Sequence, residues 1–460
     1  MENFWDYNVW GAILLFAALL GSLLAGNALK KSIPLLQESL IPTSVIGGGI
    51  IIVVAAIYKA ITGDIMFDTT FFGGKGTSTL EIITYHALAL GFIASAFKTS
   101  ENKLTKERSV EIFNTGVTTV STYLIQAIVG FTITLLIALF ISDFFPAAGV
   151  LLPFGFGQGT GQALNYGNIY ETEFGFIGGK SFGLTIAALG FLSASFGGVI
   201  HLNIMKRKGR LNLAHKKDEL NQEVIENENE IPMQESIDKL TIQIALIFVA
   251  YVLVFFMMNG LSMLLPGMRS TIFGFNFLLG VLSATIIKTL LNIFKKFKTL
   301  KKEYINNFLM TRASNFFFDV MVVAGIAAIR LDVLTKYWGI MIILGIAGLI
   351  VTYAYNRVIA NIFFPTYKEE QFLCMYGMLT GTASTGIILL REVDPSFKTP
   401  AADNMVYQNF PAIVFGFPMM LLATLAPVKP LLTLLLLILF FISMNVLLFR
   451  KQIIEKLKKW

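Results

Sequence analysis

Eleven stretches of this 460-residue chain are apolar for roughly 18 residues or more, about the length a helix needs to cross the hydrocarbon of a bilayer. They fall near 9–28, 41–61, 80–98, 112–142, 175–205, 239–261, 266–292, 313–330, 333–356, 402–426 and 430–449. Outer-membrane β-barrels instead alternate apolar and polar residues in segments of about ten. Charged residues make up only 14% of the chain, against about a quarter in soluble proteins. That excludes a soluble enzyme, a disordered chain and a nucleic-acid binder, even with a pI near 9.2. The fold class is therefore an all-α polytopic membrane protein. The lone Cys374 rules out a disulfide framework, and three histidines are too few for a His-rich metal centre. Glu2 and Asp6 precede the first stretch with no cleavage pattern after it, so it reads as a retained helix.

Two further apolar stretches, about 146–170 and 371–391, are interrupted midway. Gly157-Gln158-Gly159-Thr160-Gly161 breaks the first and Gly381 to Gly386, preceded by Thr380, breaks the second. Glycine costs a helix interior about 1 kcal/mol against alanine, so neither stretch suits one continuous helix.

Charge sets the topology. Of 36 Lys and Arg, six (Lys59, Lys75, Arg269, Arg330, Lys336 and Lys429) fall on one side, Lys180 falls inside a span, and the other 29 fall on the opposite side. Positive residues mark the cytoplasmic face. This bias holds loop after loop only if both broken stretches enter and leave on one side, as re-entrant hairpins. The expected topology has the N-terminus outside and the C-terminus in the cytoplasm of a cell inner membrane. The expected organisation is a first repeat over 1–205, a charged cytoplasmic linker over 206–238, a second repeat over 239–428, and an extra helix with a basic tail over 429–460.

The halves share landmarks in the same order: Pro42 and Pro266, Gly91 and Gly325, Gly159-Thr160 and Gly381-Thr382. Each half contributes five spans and a hairpin. Five is odd, so the second repeat is expected to lie inverted. Inverted repeats with broken segments point to secondary transporters, whose substrate and ion bind near the midplane. Backbone groups released from a helix cannot face lipid and must be buried or line a wet cavity. Half-helix N-termini there suit a carboxylate, and freed oxygens suit a small cation.

Gly159-Thr160-Gly161-Gln162-Ala163, the Phe174-Gly175-Phe176 entry to the next helix, Gly190 and Gly197-Gly198 resemble the bacterial sodium/glutamate symporters. So do Ile41 to Gly48 and the Gly381 to Gly386 tip with Asn404-Met405 and Pro411. The resemblance runs roughly from Ile41 to Pro418. It implies sodium-coupled uptake of glutamate or a related amino or carboxylic acid, a homodimer and an elevator-type moving domain, with no cofactor beyond the coupling ion. The chain departs from the family at Phe156-Gly157-Gln158-Gly159, at Ile387 to Arg391, at the charged Lys180 and Asp319, and in its additional C-terminal span.

The expected substrate contacts are Gly159, Thr160, Gly161, Gln162, Gly381, Thr382, Ser384, Thr385, Asn404 and Asn409. Their hydroxyls and amides can equally cap half-helices or join neighbouring helices. Asp319, Lys180 and Thr382 are the ion-coupling candidates, because a charge within a span is costly and marks function by default. Lys180 could anchor a carboxylate, replace a sodium ion, pair with Asp319 or snorkel outward. Gln408 lies one turn from Asn404. A proton-coupled transporter or antiporter using Asp319 and His86 is the alternative. No HExxH and no paired intramembrane carboxylates suggest an enzyme, and no selectivity-filter repeat suggests a channel.

Overall fold

The computed structural model describes residues 3–98, 105–208, 237–297, 302–394 and 398–457, and its helices account for nearly all of them. Most of the expected linker, 209–236, lies outside the described residues. Chain order begins with α1 (Tyr7–Ser32), α2 (Thr43–Thr62), α3 (Gly76–Phe97) and α4 (Lys106–Ala138). Two short helices follow, α5 (Leu151–Phe156) and α6 (Gly159–Phe174), then the long α7 (Gly179–Arg207). After the linker come α8 (Lys239–Leu264), α9 (Asn276–Lys296), α10 (Asn307–Ala327) and α11 (Leu331–Phe363). Again two shorter helices follow, α12 (Lys368–Thr380) and α13 (Ala383–Arg391). The chain closes with α14 (Ala401–Tyr407), α15 (Asn409–Leu425), α16 (Pro430–Leu448) and α17 (Arg450–Leu457).

Among the described residues, ten helices are long and apolar enough to cross a membrane, or eleven if the bent pair of α14 and α15 is one span. The chain is an all-helical, multi-pass membrane protein. Polar residues set helix starts where the chain leaves loops. The Thr105 hydroxyl accepts from the Arg108 amide, and Asp238 Oδ1 accepts from the Leu240 and Thr241 amides, which satisfies donors that have no partner in a first turn.

Some spans are less regular than their hydropathy predicts. The stretch expected at 266–292 opens with a 3-10 turn at Pro266–Met268 and a short helix at Arg269–Gly274, and only then becomes α9. The stretch at 402–426 bends by 52° between α14 and α15. Pro411 stands at that bend and has no N–H to bond the carbonyl one turn back.

Contacts divide the chain into two compact units. The smaller comprises Glu81–Lys103 and Lys217–Val322; the larger comprises Met1–Leu80, Leu104–Lys216 and Val323–Trp460. In the smaller unit, Ile93, Ala94 and Phe97 of α3 belong to one buried cluster with Ile247, Ala250 and Val254 of α8 and with Met310 of α10. Ser283 Oγ of α9 donates to the Ala250 carbonyl at 2.7 Å, and Ser314 Oγ of α10 donates to the Gly91 carbonyl at 3.0 Å. Small residues let membrane helices approach closely, which replaces the hydrophobic driving force that lipid cannot supply. Gly91 is such a position, since a Cβ there would stand 2.7 Å from the Phe318 ring.

In the larger unit, the short helices fold back in pairs. Phe154 of α5 stacks on Tyr166 of α6 with ring centroids 3.8 Å apart. Gly377 of α12 faces Gly386 of α13 so closely that a Cβ at 377 would lie 2.8 Å from the Gly386 Cα. Tyr166 and Tyr170 then anchor α6 to α15, donating to the Met420 and Ala423 carbonyls at 2.9 and 2.7 Å.

Gly91→Val should destabilise the protein by about 1–3 kcal/mol through overpacking against Phe318. Gly49→Val, where nothing lies within 4 Å, should change it by less than about 0.5 kcal/mol. Thermal unfolding in detergent compares the two, and equal melting temperatures would contradict the α3–α10 contact.

Candidate functional site

Both helix breaks lie in the larger unit, and both meet one residue of α7. A Cβ on Gly190 would stand 2.6 Å from the Thr380 carbonyl oxygen, at the second break, and 3.2 Å from the Phe156 Cα, at the edge of the first. Only glycine leaves room for two backbones there. α7 presents further glycines along its length: Gly183 faces the backbone of Ala163, and Gly197 faces the Tyr376 hydroxyl.

α4 touches both breaks as well. Tyr123 OH donates to the Gly157 carbonyl at 3.2 Å, and Gln126 Nε2 donates to the Leu379 carbonyl at 2.9 Å. The two side chains are three residues apart and so share a helix face. Gln126 Nε2 also donates to Thr352 Oγ1 of α11 at 2.8 Å. The two interruptions are thus brought to one place, where the first turns of α6 and α13 begin. First-turn N–H groups lack intrahelical acceptors and carry the positive end of the helix dipole.

Each expected contact residue can now be located. Gly159 opens α6 with φ at +78°, a conformation that favours glycine. Thr160 is fully buried, its Cβ 2.7 Å from where a Gly325 Cβ would stand, and Gly161 is buried in the same turn. Gln162 is 1% exposed, yet among the described residues neither its Oε1 nor its Nε2 has a hydrogen-bond partner. At the second break Gly381 is buried, and Thr382 Oγ1 lies 3.4 Å from Thr385 Oγ1 in the first turn of α13. Thr385 is fully buried, and Ser384 is partly exposed.

Asn404 and Asn409 stand further along. Asn404 Nδ2 donates to Tyr367 OH at 3.0 Å and to Gln371 Oε1 at 3.1 Å, tying α14 to α12. Asn409 is half-buried and accepts from Gln408 at 3.3 Å. Lys180 stands in the first turn of α7, half-buried, with its backbone N–H on Glu171 Oε2 at 3.1 Å. It is a helix-end lysine and not a mid-span one. Asp319 belongs to the smaller unit, on an exposed position of α10. His86, also of that unit, has Nδ1 2.6 Å from Tyr251 OH.

Buried amide oxygens mark the rest of the site. Gln126 Oε1, Asn356 Oδ1, Asn404 Oδ1 and Gln408 Oε1 accept nothing from the described residues. Asn356 Nδ2 is held by Thr122 and the Thr352 carbonyl, at 3.4 and 2.9 Å. Native proteins pair the large majority of such atoms; Gln126 and Gln408, whose Nε2 groups reach Leu379 and Met378 just before the second break, leave their oxygens as acceptors there, while Asn404 stands farther off with Tyr367 and Gln371. Neutral amide and hydroxyl oxygens suit a small hard cation, and the half-helix N–H groups suit an anion.

Several of these residues escaped the sequence reading. Tyr123, Gln126, Thr352, Asn356 and Gln371 each sit within or beside an apolar run; an isolated Gln or Asn–Arg pair in such a run is the signal that was present. A further group joins α7, α11 and α12. Glu369 takes a bidentate pair of bonds from Arg357 at 2.6 and 3.0 Å, and His201 Nε2 lies 2.8 Å from the same carboxylate. His201 Nδ1 is 2.9 Å from Tyr353 OH. This group secures the outer end of α12, while Gln126 secures its tip.

Gln126→Leu should cost about 0.6–1.7 kcal/mol, from the average to the maximum for interhelical hydrogen bonds in membranes, and lower the melting temperature in detergent. A thermal stability equal to the wild type would show that α4 does not hold the second break. The sequence matches none of the known protein families and none of the characterised proteins with which it was compared.

Proposed function

We propose that this chain is a secondary transporter that carries a small organic anion, glutamate or a related amino or carboxylic acid, together with sodium. The observation that carries this reading is the meeting of two helix breaks at Gly190, with the buried and unpartnered amide of Gln162 in the first turn of α6. A soluble or purely structural bundle gains nothing from holding a fully buried amide without partners, which costs about 1–3 kcal/mol. A substrate carboxylate or ammonium that bonds to Gln162 recovers that cost on binding.

In this reading the substrate carboxylate lies against the first turns of α6 and α13, contacted by Gly159, Thr160, Gly161 and Gln162 from one break and by Gly381, Thr382, Ser384 and Thr385 from the other. Thr382 and neighbouring amide oxygens supply sodium ligands, and Asn404 and Asn409 complete the polar wall. The α5–α6 and α12–α13 pairs act as re-entrant hairpins. Support for two inverted repeats comes from element order: four long helices, a pair of short ones and a further helix occur in each half. Asp319, near the middle of α10, and Lys180, at the start of α7, act in ion coupling. No covalent chemistry is involved. The protein works as a homodimer of elevator type in a cell inner membrane, N-terminus outside and C-terminus in the cytoplasm.

Uptake of labelled glutamate into proteoliposomes, driven by a sodium gradient and separately by a proton gradient, tests the reading. Sodium-driven accumulation is expected; uptake driven by protons alone would assign the coupling to a proton instead. Gln162→Leu separates function from folding. It removes an unpaired buried amide, so the melting temperature should hold or rise while uptake falls by about tenfold or more, the loss of one ligand hydrogen bond to a charged group. Wild-type uptake by Gln162→Leu would remove the helix breaks from the site. Asp319→Asn should change sodium dependence, and an unaltered sodium response would exclude Asp319 from coupling.

A further inference from the structure

The C-terminal helices build a second concave surface in the larger unit. α16 ends at Leu448 and α17 begins at Arg450. Around this junction, the start of α4 and the end of α11 help enclose a cavity of about 580 Å³. Ile362, Phe363 and Leu448 give it an apolar side, and Lys106, Arg450 and Lys451 give it a cationic one.

Arg450 is preset. Its Nη1 donates to Asn114 Oδ1 at 3.0 Å and to the Leu447 carbonyl at 2.8 Å, and its guanidinium lies over Phe113, with Cζ 4.9 Å from the ring centroid. Among the described residues Nε and Nη2 have no acceptor, so two donors of a rigid fork are left for an anion. Such a fork matches a phosphate better than a lysine does. Of the two carboxylates that line the cavity, Glu111 is paired with Arg108, which leaves Glu107 against three cations. Gln452 adds a buried side-chain oxygen that accepts nothing from the described residues, and this calls for a ligand that also carries a donor.

The setting indicates the ligand's source. α16 is one of the helices apolar enough to cross a membrane, and α17 carries Lys451 and Lys456 beside Ile453 and Ile454, which are 38% and 51% exposed. A basic amphipathic helix directly after a spanning helix lies at the level of lipid headgroups.

We propose that this cavity binds the headgroup of an anionic glycerophospholipid of the phosphatidylglycerol type. The phosphodiester sits on Nε and Nη2 of Arg450 with Lys106 and Lys451 beside it, a headgroup hydroxyl donates to Gln452 Oε1, and an acyl chain follows Ile362, Phe363 and Leu448. The inference needs α16 to cross the membrane and does not need the transport reading. A phosphatidylcholine headgroup has no O–H or N–H donor for Gln452 and brings a cation toward three others.

Native mass spectrometry of the delipidated full-length protein, titrated with phosphatidylglycerol, phosphatidylethanolamine or phosphatidylcholine, tests the site. Phosphatidylglycerol should bind about tenfold more tightly than phosphatidylcholine, and Arg450→Gln should remove most of that preference. Arg450 also braces α17, so a paired Lys106→Gln, Lys451→Gln variant, altering two exposed side chains, should weaken phosphatidylglycerol by about 25-fold (about fivefold per cation) with the fold intact. Equal binding of the three lipids, or an undiminished preference in both variants, would overturn the proposal. Thermal protection by inorganic phosphate or glycerol phosphate as large as that by phosphatidylglycerol would overturn the lipid assignment.

Discussion

Two interrupted helices can meet inside a membrane protein only where a third element lets their backbones come within contact of it, and Gly190 is that element here. A single Cβ would collide with the Thr380 carbonyl and crowd Phe156. The position of both breaks along α7 follows from this close approach, while Phe154 on Tyr166 and Gly377 against Gly386 fold the short helices into pairs. Hydrocarbon cannot satisfy a free carbonyl or amide, so the breaks must be enclosed, and α7 and α4 enclose them from two sides.

Hydrogen bonding then decides which groups are spent and which are left over. Tyr123 and Gln126 satisfy one carbonyl at each break, and Arg357 with His201 holds the outer end of α12 through Glu369. These groups are committed to structure. Gln162, and the amide oxygens of Gln126, Asn356, Asn404 and Gln408, are uncommitted though buried. A firmly held pair of breaks, with several buried acceptors unpaired among the described residues, is the observation on which the transport proposal rests.

Much of the fold was legible in the residues themselves. The spans and the positions of both breaks follow from properties of short windows, apolar length and glycine clusters; the bend between α14 and α15 interrupts a stretch whose hydropathy reads as one continuous span. The candidate site was legible in part. Gly159 to Gln162 and Gly381 to Thr385 stood out because glycine and hydroxyl residues interrupt apolar runs. Lys180 was read as a mid-span charge, because hydropathy cannot place a helix start to the residue; Gly175 and Gly178, both at positive φ, put that start immediately before it. The Arg357–Glu369–His201 group went unread, because none of its members is unusual alone.

By itself, then, the sequence determined that this chain crosses a membrane many times as helices and where two of its apolar stretches break into shorter ones. A bilayer imposes its demand locally, on each run of about 20 residues, and such a demand can be read from one segment at a time. Only the tertiary structure decided which polar groups meet. Gln126 reaches a carbonyl 253 residues away and Thr352 at 226; Gly190 holds apart two breaks separated by more than two hundred positions. No local pattern encodes those distances, because a hydrogen bond or a missing Cβ acquires its meaning from the neighbour that packing brings to it.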